Sequence, residues 1–248
     1  MYILAIDTST RFLRVAAAKE HKILASHTDD GKANHSEQLI PVIDEVLKKA
    51  RIRLKDIDAI ALSIGPGSFT GLRIGVASVK AISMALGTKI VAISTLDAIA
   101  HNFTDSKEHV LCPVIDAKKQ KVYSAFYVNR LISIGGSSLD KLGTNAQRNQ
   151  GHSEGGYLAR TGEYMLCGIE SLLEHVSEPT LLFGDGIAVY EREILKNPFA
   201  RISKKDWHPK VEVVAELGLR KAHRKKFENP DKLVPTYMHS QYCQVRGK

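Results

Sequence analysis

The 248 residues are 44% hydrophobic and 25% charged, a globular composition that is long enough for one large domain or two small ones. Cys112, Cys167 and Cys243 lie far apart with no C-x-x-C, which argues against a disulfide scaffold or a structural zinc site and fits free thiols in a reducing cytosol. A formal charge of +8 brings a polyanionic partner into consideration, while MYILAID lacks a basic leader and no apolar run approaches the roughly 20 residues of a membrane span, so a cytoplasmic chain without a membrane partner is expected.

In chain order, YILAID (2–7) reads as a buried strand ending at Asp7, and LRVAAAK (13–19) and KILASHT (22–28) complete an antiparallel meander. NHSEQLIPVIDEVLKKA (34–50) changes to a helical period. Asn34 or Ser36 is placed to cap it, with Glu37 in its first turn and Lys48 and Lys49 in its last, as the helix dipole favours. IDAIALSIG (57–65) is a buried strand, FTGLRIGVASVKAISMALG (69–87) a helix stopped by Gly87, KIVAIS (89–94) a strand and TLDAIAHNF (95–103) a helix. A meander followed by βα units gives a mixed sheet with helices on its faces. A second cycle begins at HVLCPVIDA (109–117) and KVYSAFYV (121–128), which divides the chain into domains 1–105 and 106–248. Residues 129–160, rich in Gly, Ser, Asn and Gln, read as a long irregular surface loop. EYMLCGIESLLEHV (163–176), AVYEREILKN (188–197) and VEVVAELGLRKAHRKKF (211–227) are predicted helices, the last a candidate to pack back on the first domain. TLLFGDG (180–186) is a strand with a glycine turn, and LVPTYM (233–238) closes the chain in extended form.

Two stretches invite a phosphate reading. SIGPGSFTGLRIG (63–75) sets Gly65, Gly67 and Gly71, with Ser68 and Thr70, between a strand and a helix whose free N–H groups are an anion site in principle. It lacks the Lys-Ser/Thr ending of a P-loop. IDTSTRF places Asp7, Thr8 and Ser9 after the first strand, where the actin–hexokinase–Hsp70 fold carries a phosphate-gripping hairpin; here the hydroxyls are present and the hairpin glycine is not. These eight residues are the candidate nucleotide site, against the plainer reading in which Asp7 and its neighbours only close a hairpin. Gly71 and Gly75 lie one turn apart beside Ser78, a small-residue line that lets another helix approach. Apolar residues run nearly all round both long helices: Leu39, Ile40, Ile43, Val46 and Leu47 on the first, Leu72, Val76 and Val79 on the second. A helix covering a sheet needs one buried face. The surplus marks these residues, with His35 and Gly75, as a candidate subunit interface. Arg220, Lys221, Arg224 and Lys225 share one face of the predicted 211–227 helix, and KKARIRLK (48–55) and KKQK (118–121) add charge. A solvated helix face is the default for such clusters, and tRNA contact the alternative.

ILAIDTST, NHSEQLIPVIDEVL, LSIGPGSFTGLRIG, KAISMALG, STLDAIA, DAKKQKVYSAFY and LVPTYM together resemble the bacterial TsaB (YeaZ) family, specifically over residues 1–128 and more loosely over 161–248. The resemblance implies a two-domain actin-like ATPase fold. It implies a non-catalytic partner in making threonylcarbamoyladenosine beside the anticodon of tRNAs reading codons that start with A. The implied partners are the catalytic glycoprotease-like subunit TsaD, the small ATPase TsaE and tRNA within the complex, with a homodimer as a further state and the first two helices as the contact. The catalytic relative binds a metal through H-x-x-x-H; here HSEQL keeps His35 but has Leu39 in the second position, so no metal is expected. No cofactor is expected to be required by this chain, with ATP or ADP at or near the complex interface left open. The alternative is an actin-fold enzyme, a phosphotransferase or metalloprotease, acting alone.

Overall fold

The computed structural model describes residues 1–29, 31–32, 34–129, 158–205 and 207–238. The described residues form two compact units, the first from Met1–Ala98 with Pro209–Tyr237, the second from Ile99–His208 with Met238. The single cut expected after residue 105 is thus replaced by two, one inside a helix and one just before Pro209. The last long helix therefore belongs to the first unit.

The first unit holds β1 (Tyr2–Asp7), β2 (Arg14–Lys19), β3 (Lys22–Thr28), β4 (Ala59–Ser63) and β5 (Lys89–Ile93) in the order β3-β2-β1-β4-β5. β1, β2 and β3 form the antiparallel meander, and β4 and β5 continue it in parallel from β1. Alternation along the strands makes two apolar faces. Leu4, Ile6, Ile60, Leu62 and Ile90 meet α1 (His35–Ala50) and α2 (Phe69–Leu86). Ile3, Ala5, Ala16, Ala59, Ala61 and Val91 meet α6 (Val211–His223). The second face is rich in alanine, which lets α6 lie close: a Cβ on Gly218 would come within 3.0 Å of the Ala61 Cβ.

α1 is capped by Asn34, whose side chain accepts from Ser36 N, and α2 by Ser68, whose Oγ accepts from Gly71 N; α2 ends at Gly87 with φ +70°. α2 is long and apolar enough by length and composition to pass as a membrane span, although Arg73 and Lys80 interrupt its apolar run. Its apolarity has a local cause, since Leu72, Val76 and Val79 are buried and Val76 and Val79 belong to the cluster on the sheet.

The second unit repeats the plan. β6 (Val110–Lys118), β7 (Lys121–Asn129), β8 (Leu158–Cys167), β9 (Thr180–Phe183) and β10 (Ala200–Ser203) form the order β10-β9-β6-β7-β8, with β6, β7 and β8 antiparallel and β9 and β10 parallel to β6. α4 (Ile169–Leu173) and α5 (Gly186–Ile194) cover one face. α3 (Thr95–His101) carries the division between the units. Both units are mixed sheets of the actin-like ATPase type, and corners recur in them: Gly65 at φ +114° follows β4, and Gly184 at φ +126° follows β9.

Three expectations need correction. Residues 163–167 are strand, because pairing with β7 from Asn129↔Leu158 to Val122↔Cys167 outweighs the helix propensity of Glu163, Met165 and Leu166. β10 was not foreseen; four residues are too few to show a period. The last helix stops at His223 instead of 227. Of the expected loop 129–160, Asn129 lies in β7 and 158–160 in β8. Its remainder, and Cys243, lie outside the described residues.

Candidate functional site

The glycine-rich corner is filled by the chain itself. Ser68 N donates to Ser9 O at 2.7 Å. A Cβ on Gly67 would fall within 3.0 Å of Ser9 O, one on Gly71 within 3.0 Å of Thr8 O, and one on Gly75 within 3.0 Å of Thr8 Oγ1. What these glycines admit is therefore the β1–β2 loop of the same unit, not a phosphate at Gly67 and Gly71 and not a second helix at Gly75. Gly65, in the left-handed region, passes beside Thr236 O, and Thr236 N donates to Ile64 O at 2.8 Å, so the tail closes the corner from the other side.

Asp7, Thr8 and Ser9 are buried. Asp7 Oδ1 accepts from Ser9 N at 2.7 Å, and Arg14 Nη1 stands 4.0 Å from Oδ2. Burial pushes the Asp7 carboxyl above the usual carboxylate range, only partly opposed by the Ser9 hydrogen bonds and by Arg14. Burial likewise lowers the Arg14 guanidinium, with Asp7 opposing it. Arg14 is fixed further by Thr10 Oγ1 at 3.2 Å and by the Phe12 ring at 4.6 Å. Asp7 Oδ2, Thr8 Oγ1 and Ser63 Oγ are buried without a hydrogen-bond partner among the described residues. Ordered water, which both donates and accepts, can satisfy the carboxylate and the hydroxyls together. Asp7 is fully buried and already has a cation beside it. Asp7, Thr8, Ser9, Gly67, Ser68 and Gly71 come together, with Gly65 at the other side of the corner, while Gly67, Ser68 and Thr70 stay exposed.

His35 is half-buried, its Nε2 3.2 Å from Arg11 O, and it lies against Gly71; it ties α1 to the β1–β2 loop. Leu39, at the second position of HSEQL, is 1% exposed in the core. Among the described residues no three His, Cys, Asp or Glu side chains gather as a metal site.

The interface set is corrected in most of its members. Leu39, Ile43, Val46, Leu47, Leu72, Gly75, Val76 and Val79 are buried within this chain and offer a partner no surface. The apolar stripe on α1 is wide because the helix lies on β2 and β3 and beside α2 at once, so intramolecular neighbours cover two of its sides. Ile40, 54% exposed, is the member that faces outward with its full side chain. The outer face of α2 was missed by the pattern reading: Phe69, Arg73, Ala77 and Ala81, spaced by four, are exposed, and Met84 follows at 70%. Periodicity gives the width of an apolar stripe but not which edge stays uncovered.

The basic cluster is also rearranged. α6 ends at His223, Arg224 is its C-cap and Lys225 has φ +54°, so the four cations do not share a helix face. Arg220 binds Glu216 at 2.8 Å and Lys221 donates to Ala92 O at 2.8 Å, leaving Arg224 and Lys225 as the exposed members. Elsewhere Lys48, Lys49 and Arg53 are paired with Asp44, Glu45 and Asp56, and Lys118 with Asp116.

The family model for TsaD, tRNA N6-adenosine threonylcarbamoyltransferase, matches residues 22–245. The chain is 35% identical over 127 residues to the tRNA threonylcarbamoyladenosine biosynthesis protein TsaB of Bacillus subtilis, covering 51% of this chain and 55% of that protein. It is 33% identical over 129 residues to the Escherichia coli protein of the same name, again covering 51% and 55%. The matched stretch thus spans little more than half the length of these relatives. The solved structure of YeaZ from Pseudomonas aeruginosa is similar at a TM-score of 0.73 and 24% identity, covering 96% of this chain and 99% of that one.

Proposed function

We propose that this chain, which belongs to the family described by the TsaD model and is similar to TsaB proteins over half its length, is a non-catalytic partner subunit for threonylcarbamoyl transfer to tRNA. The acceptor is the adenosine next to the anticodon in tRNAs reading codons that start with A. The observation that carries this reading is the contrast within the first unit: the corner where a nucleotide would sit is packed with the chain's own backbone, while the outer face of α2 is exposed and apolar. An exposed face of Phe69, Ala77, Ala81 and Met84 suits helix-on-helix docking, with small residues allowing close approach.

In this reading the face receives the catalytic glycoprotease-like subunit TsaD, the small ATPase TsaE joins the pair, and the same face pairs two copies when the chain is alone. The chain requires no cofactor, and ATP or ADP belongs to the interface of the assembled complex. Arg224 and Lys225 are the residues we assign to tRNA phosphate, and the cytoplasm is the compartment. The test is titration of the purified TsaD homologue from the same genome into this chain by calorimetry, with Met84→Glu as the variant. Saturable binding by the wild type and its loss in the folded variant support the assignment; no binding by the wild type removes it.

A further inference from the structure

The tail after α6 runs back along the first unit. Glu228 N donates to Ile90 O at 2.9 Å, Lys80 Nζ to Asp231 O at 3.3 Å, and Leu233 is buried in the α1–α2 core. Thr236 then bonds Ile64, and the strap delivers Tyr237 to the start of α2. There Tyr237 OH accepts from Arg73 Nε at 3.0 Å, the Arg73 guanidinium lies 3.8 Å from the centroid of the Phe69 ring, and the two rings are 5.3 Å apart. All three side chains are exposed.

This arrangement has an electrostatic peculiarity. α2 contains no acidic residue, and Arg73 sits near its N-terminal end, where the helix dipole disfavours a cation. The guanidinium is nonetheless contacted on two sides, by the Phe69 ring and by the Tyr237 hydroxyl. Its Nε is used, while Nη1 and Nη2 have no hydrogen-bond partner among the described residues. A planar fork with a ring below and a hydroxyl at its side has fewer orientations open to it, which lowers the cost of binding a carboxylate in two-point fashion. Arg, Tyr and Phe on an apolar face also have the makeup of an energetic centre in protein contacts.

We infer that Phe69 and Tyr237 preset Arg73 as the receptor for a carboxylate side chain of the partner subunit, so that the C-terminal strap completes the docking surface on α2. The inference rests on the partner-subunit reading above. The occupant is a protein carboxylate instead of an RNA phosphate because the fork lies on one stripe with Ala77, Ala81 and Met84, an apolar surface that an RNA backbone would not cover.

The experiment measures the affinity of the purified TsaD homologue for wild type, Arg73→Lys and Tyr237→Phe, with thermal melting as the folding control and tRNA alone as a second ligand. Lys keeps the charge and loses the fork; Phe keeps the ring and loses the anchoring hydroxyl. Arg73→Lys is expected to weaken binding by roughly 30-fold or more, and Tyr237→Phe by about 5-fold, with unchanged melting. Wild-type binding that both variants retain would overturn this inference and leave the partner role standing. No binding by the wild type would overturn both. Loss of tRNA binding in Arg73→Lys, with the protein contact intact, would reassign the fork to RNA.

Discussion

Replacing Gly71 by alanine separates packing from phosphate binding at the glycine-rich corner. On helix propensity alone the change is favourable by about 1 kcal/mol. Against that, the new methyl group would meet the Thr8 carbonyl, a backbone atom in a loop held by the Asp7–Ser9 and Ser68–Ser9 hydrogen bonds. Overpacking costs about 1–3 kcal/mol, and loosening the Ser68–Ser9 bond adds about 1 kcal/mol. The net expectation is a loss of about 2 kcal/mol, or ~4–8 °C in Tm for a chain of this length. Gly75→Ala is the matched control. Its methyl group meets Oγ1 of Thr8, a fully buried β-branched side chain stiff at χ1, and Leu62 Cδ1 at 3.2 Å, so it shares the overpacking cost but leaves the Ser68–Ser9 bond in place, and a smaller loss is expected. Urea melts followed by circular dichroism give both values. Gly71→Ala as stable as wild type would refute the close packing. If that stable variant also lost a nucleotide that the wild type binds, the corner would be a phosphate site after all.

Leu39→Ala is expected to cost about 2–5 kcal/mol in a urea melt, since Leu39 is a core residue; a stable variant that loses only its partner would return Leu39 to the interface. Asp7→Asn is expected to gain stability relative to wild type as pH rises. The folded-state pKa of Asp7 lies above its unfolded value, so its contribution is fully present below the unfolded pKa and lost as pH rises through the folded one. Melts of both proteins from pH 4 to 8 check this, and a difference independent of pH would contradict the buried, destabilised carboxylate. Arg224→Ala with Lys225→Ala is expected to weaken tRNA binding by the assembled complex and flatten its salt dependence, without weakening the protein contact; an unchanged salt slope would leave both side chains as solvated charge.

The strand–helix order of the first unit was legible because each element declares itself locally: YILAID and KIVAIS are short apolar runs, and Asn34, Ser68 and Gly87 mark helix ends by their side-chain chemistry. The role of the glycines was only half legible. Their spacing announces close approach of something, but Thr8 and Ser9, more than 50 residues earlier in the chain, are what approaches, and no local pattern carries that. The interface residues failed for a related reason. A wide apolar stripe is the same in sequence whether a sheet plus a neighbouring helix or a partner subunit covers it, and here α2 and β3 cover α1. β8 was misread because its pairing with β7 is long-range while its residues favour helix locally. The Arg73 clamp joins residues 164 positions apart and leaves no sequence signal beyond a cation near a helix start.

The most direct measurement is reconstitution of tRNA modification from the TsaD homologue, the small ATPase TsaE, ATP, threonylcarbamoyl-AMP and unmodified tRNA, with this chain added or omitted. Threonylcarbamoyladenosine formed only when the chain is present, and none from the chain alone, is the expected result. Equal modification without the chain, or modification by the chain alone, would contradict the assignment of a non-catalytic partner.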